Sequence, residues 1–600
     1  MRSNFVWVRW GLLLFVSWTG GVEGQVGREP VGASGSRVEG ELLQRTRSVE
    51  ILDRELWRSL PVRTLSELLR WALGVEGGRD STFRGEVGLR GGGPSRFLLL
   101  IDGRRVEDPA SEAFDLALAL PLDRVERIEI LRGPAAGVRG GGAIAGVIHV
   151  VSRDPTAWGF RVEEGAFGTR IWAGEAGVPL GRAKIQVAGE RGSSEGHRPG
   201  TDGEQRIGSV LLQLPFRSGM WRADLGRGER EGGADGLWGD LQARDSLEVT
   251  SGSVSWLPST QPPSPLARPA RFWLEPRVSW RRQEGGVHGE TWEMDARSDQ
   301  QAGELWGKFR PSDRLRVAVG GEFVETRRFR SDGEQVRAEG WGWGGEVAWV
   351  DSMGIEGAFA LQWDRRGPGG EFASPHFTLG FPAGDGVQVR ASWGRSFRRP
   401  RWMDTEGFPP LSEASPDLRP ETAEEGEVGF RWADREGFEL DLSVFRRILG
   451  EEIVRFRPEG GGPWKARNLG RSRLEGVEAE ARWDLGGGNR VFAGGLWLTS
   501  TPAEDLLESD RPVWVPLRDQ FRVGGVHRLP DGAFVTLLWI QSRKPGEESW
   551  GEMEGRLAIP FLAGLLYLDG RNLTRSEGQD RTGNPLPRRN WTVGYRLGSR

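Results

Sequence analysis

The sequence predicts a mostly-β exported protein in which a small α/β domain precedes a long series of antiparallel strands. Three observations carry this. The first residues read as a cleavable export signal, no later segment is apolar for long enough to form a membrane helix, and the hydrophobic period changes from helical to two-residue near Pro155.

The export signal comes first. Arg2 and Arg9 precede WGLLLFVSW (10–18), an apolar core too short to span a bilayer, and VEG (22–24) offers a cleavage site before Gln25, so residues 1–24 read as a signal peptide. Nothing downstream approaches the ~18–20 consecutive apolar residues of a membrane helix. The mature chain is therefore either soluble outside the cytoplasm or a membrane β-barrel, the other structure that satisfies its backbone inside lipid.

Composition removes other classes. With 81 Lys and Arg against 85 Asp and Glu there is no global basic field, hence no nucleic-acid partner. The absence of cysteine excludes thiolate metal sites and thiol nucleophiles. Gly140-Gly141-Gly142 lacks the G-K-[ST] of a phosphate loop, and no Ser/His/Asp arrangement stands out. The chain is predicted not to be an enzyme and to hold no cofactor, with metal ligands assigned to none.

Residues 45–153 mix helix and strand signals. RSVEIL (47–52) alternates like a short strand, Leu65, Leu68, Leu69 and Leu73 recur at helical spacing, and Gly74 supplies a stop. RFLLLIDG (96–103) is a further strand. RVERIEILR (124–132) and GVIHVV (146–151) are two more, joined by a glycine tract that permits positive φ and close backbone approach.

From residue 154 to 600, alternation takes over. Ala183, Ile185 and Val187 share one face of a strand, as do Phe272, Leu274, Val278 and Trp280, then Leu315, Val317, Val319 and Phe323, and Phe438, Leu440, Leu442 and Val444. Roughly 440 residues accommodate about twenty-two membrane strands of ~10 residues with about ten left for each connection, which suits short turns alternating with long loops.

Specific motifs resemble the TonB-dependent outer-membrane receptors of Gram-negative bacteria. Leu89-Arg90-Gly91 and Leu100-Ile101-Asp102-Gly103 are similar to two motifs of that family's plug. Leu120-Pro121, Glu126-Arg127-Ile128-Glu129, Arg132-Gly133-Pro134, Gly140, Ala143-Ile144, Gly146-Val147-Ile148 and Arg153 resemble its longest signature, with His149 departing from the usual Asn. In the second region Arg395 to Pro400, Leu418 to Glu421, Glu427-Val428-Gly429, Asn468-Leu469-Gly470, Leu474 to Glu478 and Gly583 to Arg589 resemble barrel motifs.

The resemblance implies a large transmembrane antiparallel β-barrel of 22 strands (residues 154–600) with the α/β unit (45–153) as a plug inside its lumen. Residues 25–44 become a periplasmic segment in which Glu29, Pro30, Val31, Gly32 and Ala33 form a degenerate TonB box. It implies a monomer in the outer membrane that imports a ferric siderophore or cobalamin, driven by the TonB–ExbB–ExbD complex. The alternative is a passive or adhesive barrel not coupled to TonB. Arg90, Glu126, Arg127, Glu129 and Arg132 are candidates to latch the plug, through partners such as Glu425 and Glu427 on the wall. Arg79, Asp80, Ser81, Phe83, Glu107, Asp108, Asp235 and Trp238 are candidates for ligand contact. Arginine and aromatic side chains suit an anionic chelate, and Asp80, Asp108 and Asp235 offer oxygen ligands to loop-bound Ca²⁺.

Overall fold

The computed structural model describes Arg37 and residues 46–599, except 78–82, 84, 109–117, 119, 217–218, 235–241, 259–271, 291, 330–333, 367–369, 408–411, 458–461, 505–510, 513 and 579–584. The signal peptide and Glu29 to Ala33 lie outside the described residues.

The first domain is built on a five-stranded sheet. Its strands are β1 (Val49–Asp53), β4 (Phe97–Ile101), β5 (Arg104–Arg105), β6 (Val125–Arg132) and β7 (Gly146–Ser152), in the order β1-β6-β7-β4-β5, with a separate two-stranded pair of β2 (Val75–Gly77) and β3 (Val87–Leu89). Only β4 and β7 run parallel. Local chemistry sets the short helices. The Asp53 carboxylate accepts from Leu56 N at 2.8 Å and caps Arg54–Ser59, and Thr64 Oγ1 caps Leu65–Leu69 by accepting from Glu67 N at 3.3 Å. The second helix ends at Leu69 with Arg70 as its C-cap, shorter than the leucine spacing predicts: Leu73 lies beyond it, and Gly74 takes a positive φ in the turn before β2 rather than stopping the helix. The glycine tract holds one element the sequence pattern did not announce, a helical turn at Ala136–Arg139.

From Trp158 the chain forms a closed antiparallel barrel of 22 strands among the described residues, with an added two-residue strand at Arg511–Pro512. The last strand, Asn590–Gly598, pairs with the first, Trp158–Gly165, so the sheet has no free edge. The two rims differ. One carries short turns such as 181–182, 313–314, 487–488 and 562–563, together with both ends of the barrel chain; the other carries 399–420, 502–518 and 572–589.

The barrel's polarity is the inverse of a soluble sandwich. The apolar strand faces picked out in the sequence point outward: Val278 is 63% exposed, Val319 59% and Val444 58%, with Phe272, Trp280 and Phe323 also exposed. Arg161, Glu163, Glu190, Gln205, Glu346 and Arg447 point into the lumen and are buried. Outward apolar residues alternating with inward polar ones are what a lipid-facing wall requires.

The first domain sits inside this lumen. Its core of Trp57, Leu68, Ile128, Ile130, Ile148 and Val150 is continuous with Phe492, Leu538 and Ile540 of the wall. Glycine permits one of the close approaches. A Cβ on Gly137 would lie 2.7 Å from His376 Cβ and 2.8 Å from Ser374 O, so the helical turn packs on the wall only because that side chain is missing.

Candidate functional site

The functional groups fall at three levels of the lumen. Midway down, the plug is pinned by arginine. Arg90 adopts a positive φ beside Gly91 and is fully buried. Its Nε and Nη2 donate to the two Glu478 oxygens at 2.9 and 2.6 Å, Nη1 donates to Glu427 at 2.6 Å and lies 3.6 Å from Glu425, and the guanidinium stacks 4.3 Å from the Phe445 ring centre. Arg447 closes the cluster, donating to Glu425 at 2.6 Å and to the Arg90 carbonyl at 3.2 Å. A single guanidinium thus ties a plug turn to the two wall strands, Glu421–Ala433 and Lys465–Gly486, that flank Phe438–Arg457, using the bidentate geometry that Lys lacks.

Arg132 forms the adjoining half. It pairs with Glu50 on β1, donates to Leu73 O at 2.8 Å and lies 3.8 Å from Glu478. Glu50 in turn takes Arg522 at 2.8 Å and Arg482 at 3.2 Å. Burial works against the Glu50 carboxylate, but Arg522, Arg132 and Arg482 outweigh it and hold its pKa down to about 2.

The contacts of the other latch candidates among the described residues lie within the plug. Arg127 Nε donates to Glu129 at 2.7 Å, Glu129 lies 3.6 Å from the His149 ring, and Glu126 has no ion-pair partner among the described residues. A register irregularity between Val125 and Arg127 breaks the simple alternation expected there. The wall partner Glu478 is visible in the sequence as part of the Leu474 to Glu478 motif, whereas Glu50, Arg482 and Arg522 carry no local signal.

Toward the long-loop rim the plug apex and wall enclose an open cavity of about 510 Å³, lined by Phe97, Arg105, Glu107 and Asp108 of the plug and by Gln300, Phe397, Arg399, Trp402, Glu406 and Asp417, among others. Its size and mixed lining suit a small-molecule ligand. Glu107 and Asp108 are thus at the site, and Asp108 accepts from Ser298 Oγ at 2.9 Å. Phe83 is elsewhere, buried against Gly192 of the wall. Arg79, Asp80, Ser81, Asp235 and Trp238 lie outside the described residues, as do two of the three carboxylates suggested for Ca²⁺.

The third level is where the N-terminal segment enters. Arg37 N donates to Glu346 at 2.7 Å, its Nη1 reaches Glu304 at 3.3 Å, its Nε donates to Val138 O at 3.2 Å, and its guanidinium lies 4.0 Å from the Trp306 ring centre. Arg47 reaches the other Glu346 oxygen at 3.4 Å. One buried wall carboxylate therefore holds both ends of the stretch 37–47.

Comparison with known proteins agrees with this architecture. A family model for the TonB-dependent receptor-like β-barrel matches residues 294–599, and one for the TonB-dependent receptor plug domain matches residues 41–147. The vitamin B12 transporter BtuB of Vibrio vulnificus (strain YJ016) is 23% identical over 503 residues, 73% of this chain and 73% of its own. The ferric enterobactin receptor PirA of Pseudomonas aeruginosa is 35% identical over 132 residues, 20% of this chain and 18% of its own. Among solved structures, the siderophore receptor PirA from Acinetobacter baumannii superposes with a TM-score of 0.78 at 14% identity, covering 93% of this chain and 99% of that one.

Proposed function

The chain belongs to the TonB-dependent receptors, and from that membership we propose that it imports a scarce ligand, a ferric siderophore or cobalamin, through the outer membrane of a Gram-negative bacterium. The observation that carries the proposal is the pairing of an apical cavity with a plug that fills the lumen beneath it and is pinned at Arg90 and Arg132. Short turns characterise the periplasmic rim of such barrels and long loops the outer one, so the cavity opens outward and the N-terminal segment leads inward.

In this reading the ligand enters the vestibule between Phe97, Asp108 and Trp402 while the plug blocks free diffusion. Residues 25–44 then engage TonB, energised by ExbB and ExbD. Strand addition through main-chain hydrogen bonds tolerates the poor side-chain match of Glu29 to Ala33 to a typical TonB box. Force applied there strains the plug against its ion pairs with the wall. The relatives transport vitamin B12 or bind ferric enterobactin, and both ligand types fall within the proposal. A passive or adhesive barrel is the weaker reading, since a lumen filled by a pinned plug serves neither role directly. The receptor works as a monomer and performs no covalent chemistry.

The test is a binding assay between the full-length receptor in detergent and the periplasmic domain of TonB. Binding that disappears when residues 29–33 are deleted supports the coupled importer; equal binding with and without those residues removes their assigned role.

A further inference from the structure

The charges around the apical cavity bear on what kind of chelate it accepts, an inference that rests on the import reading above. Among the described residues the lining carries five carboxylates, on Glu107, Asp108, Glu339, Glu406 and Asp417, and two guanidiniums, on Arg105 and Arg399. Both arginines direct donors onto the protein itself. Arg105 Nη2 donates to the carbonyls of Arg139 and Gly141, each at 2.7 Å, and its Nη1 lies 4.0 Å from Glu107, which it offsets only at the limit of an ion pair. Arg399 Nη2 donates to Gly370 O at 3.1 Å, and its guanidinium lies over the stacked rings of Phe372 and Phe397.

Two further arginines approach from outside the lining. Arg328 pairs with Glu406 at 2.8 Å and Arg337 with Glu339 at 2.6 Å. Counting them, carboxylates still outnumber guanidiniums, and the plug face of the cavity presents Glu107 and Asp108 side by side. A wall of this sign repels a polyanion and attracts a ligand that offers positive charge or hydrogen-bond donors.

We infer that the cavity selects a neutral or cationic metal chelate and discriminates against a polyanionic one. This reverses the expectation that arginines here serve an anionic chelate: the arginines lining the site act as scaffold for the plug apex and the aromatic stack. Trp402 and Phe397 supply the apolar contact that a chelate's organic shell needs.

The experiment uses the full-length receptor in detergent and follows its tryptophan fluorescence during titration with ferric chelates of different charge. The probes are a cationic tris-hydroxamate (ferrioxamine B), the neutral corrinoid cyanocobalamin and a trianionic tris-catecholate (ferric enterobactin). The cationic or the neutral probe is expected to bind roughly tenfold or more tighter than the trianionic one. In the double variant Glu107→Gln, Asp108→Asn that gap narrows severalfold. Ionic strength gives a second reading without any substitution: added salt weakens the cationic probe and strengthens the trianionic one. Tighter binding of the tris-catecholate, with the opposite salt response, overturns the charge selection and leaves the import reading standing. Binding of none of the three overturns both.

Discussion

Arg90 of the plug grips Glu478 of the barrel wall through two parallel hydrogen bonds, at 2.9 and 2.6 Å, with neither side chain open to solvent beyond a few per cent. The contact joins the turn after β3 to a wall strand that lies almost four hundred residues further along the chain.

Removing one partner of a buried ion pair leaves the other charge uncompensated, at a cost of about 3–5 kcal/mol. Arg90→Ala is therefore expected to loosen the plug by about that amount, read as a lower denaturant midpoint for plug release and faster proteolysis of residues 46–153. Arg90→Lys restores little, because an ammonium cannot make the paired contact. Wild-type protease resistance in Arg90→Ala would show that the cluster does not hold the plug.

Arg37 is expected to restrain the coupling segment. Charge-assisted hydrogen bonds are worth about 1.5–3 kcal/mol each, so Arg37→Ala should speed thiol labelling of a cysteine placed at Ala33 by roughly tenfold or more. The chain's lack of native cysteine makes the readout specific. The backbone N–H to Glu346 survives in this variant, so an unchanged labelling rate would mean that the side-chain contacts to Glu304, Val138 and Trp306 exert no hold.

Gly137 marks a tight seat between plug and wall. Even one added methyl would meet His376 Cβ and Ser374 O inside contact distance. Overpacking of this kind costs about 1–3 kcal/mol, and Gly137→Ala should lower the melting temperature of the plug-filled barrel. Gly208, whose Cβ would meet nothing within 4 Å, is the control position that should tolerate alanine.

Stability should fall as pH rises through neutrality, and Glu76 is one source. Its carboxyl accepts from Gly91 N and Leu517 N, each at 3.2 Å, and ties the plug to the loop before Asp519. Burial pushes its pKa up to about 7 from an ordinary value near 4.5, despite those two donors. The folded state thus binds the proton more tightly than the unfolded chain. The stabilisation is full below about pH 4.5 and fades as pH climbs to 7 and above, by an amount on the order of 1–3 kcal/mol. Glu76→Gln should flatten the decline in melting temperature between pH 5 and 8; an identical slope in the variant would assign it to other groups.

Much of this architecture was legible in the residues. Period-two runs such as Phe272 to Trp280 marked strands, and the cluster of fixed spacings from Leu120 to Arg153 marked the plug. The direction in which the apolar faces point was not legible from alternation alone, because a period of two is the same whether lipid or a core lies on the apolar side. Arg90 and Arg132 stood in recognisable motifs, as did Glu427 and Glu478. Glu50, Arg522 and Arg37 did not, since what makes them matter is proximity between segments hundreds of residues apart. The helical turn at Ala136–Arg139 was masked by its glycine surroundings, and it forms where the wall leaves room only for Gly137.

Energy-coupled import is measured by accumulation of radiolabelled ligand. Cells carrying this receptor, with and without a working TonB complex, would be given cyanocobalamin and a panel of ferric siderophores. One ligand is expected to accumulate, with accumulation vanishing when TonB is absent and surface binding surviving that loss. Equal accumulation in both backgrounds would contradict energy-coupled import, for the barrel would then admit its cargo without any pull on the plug.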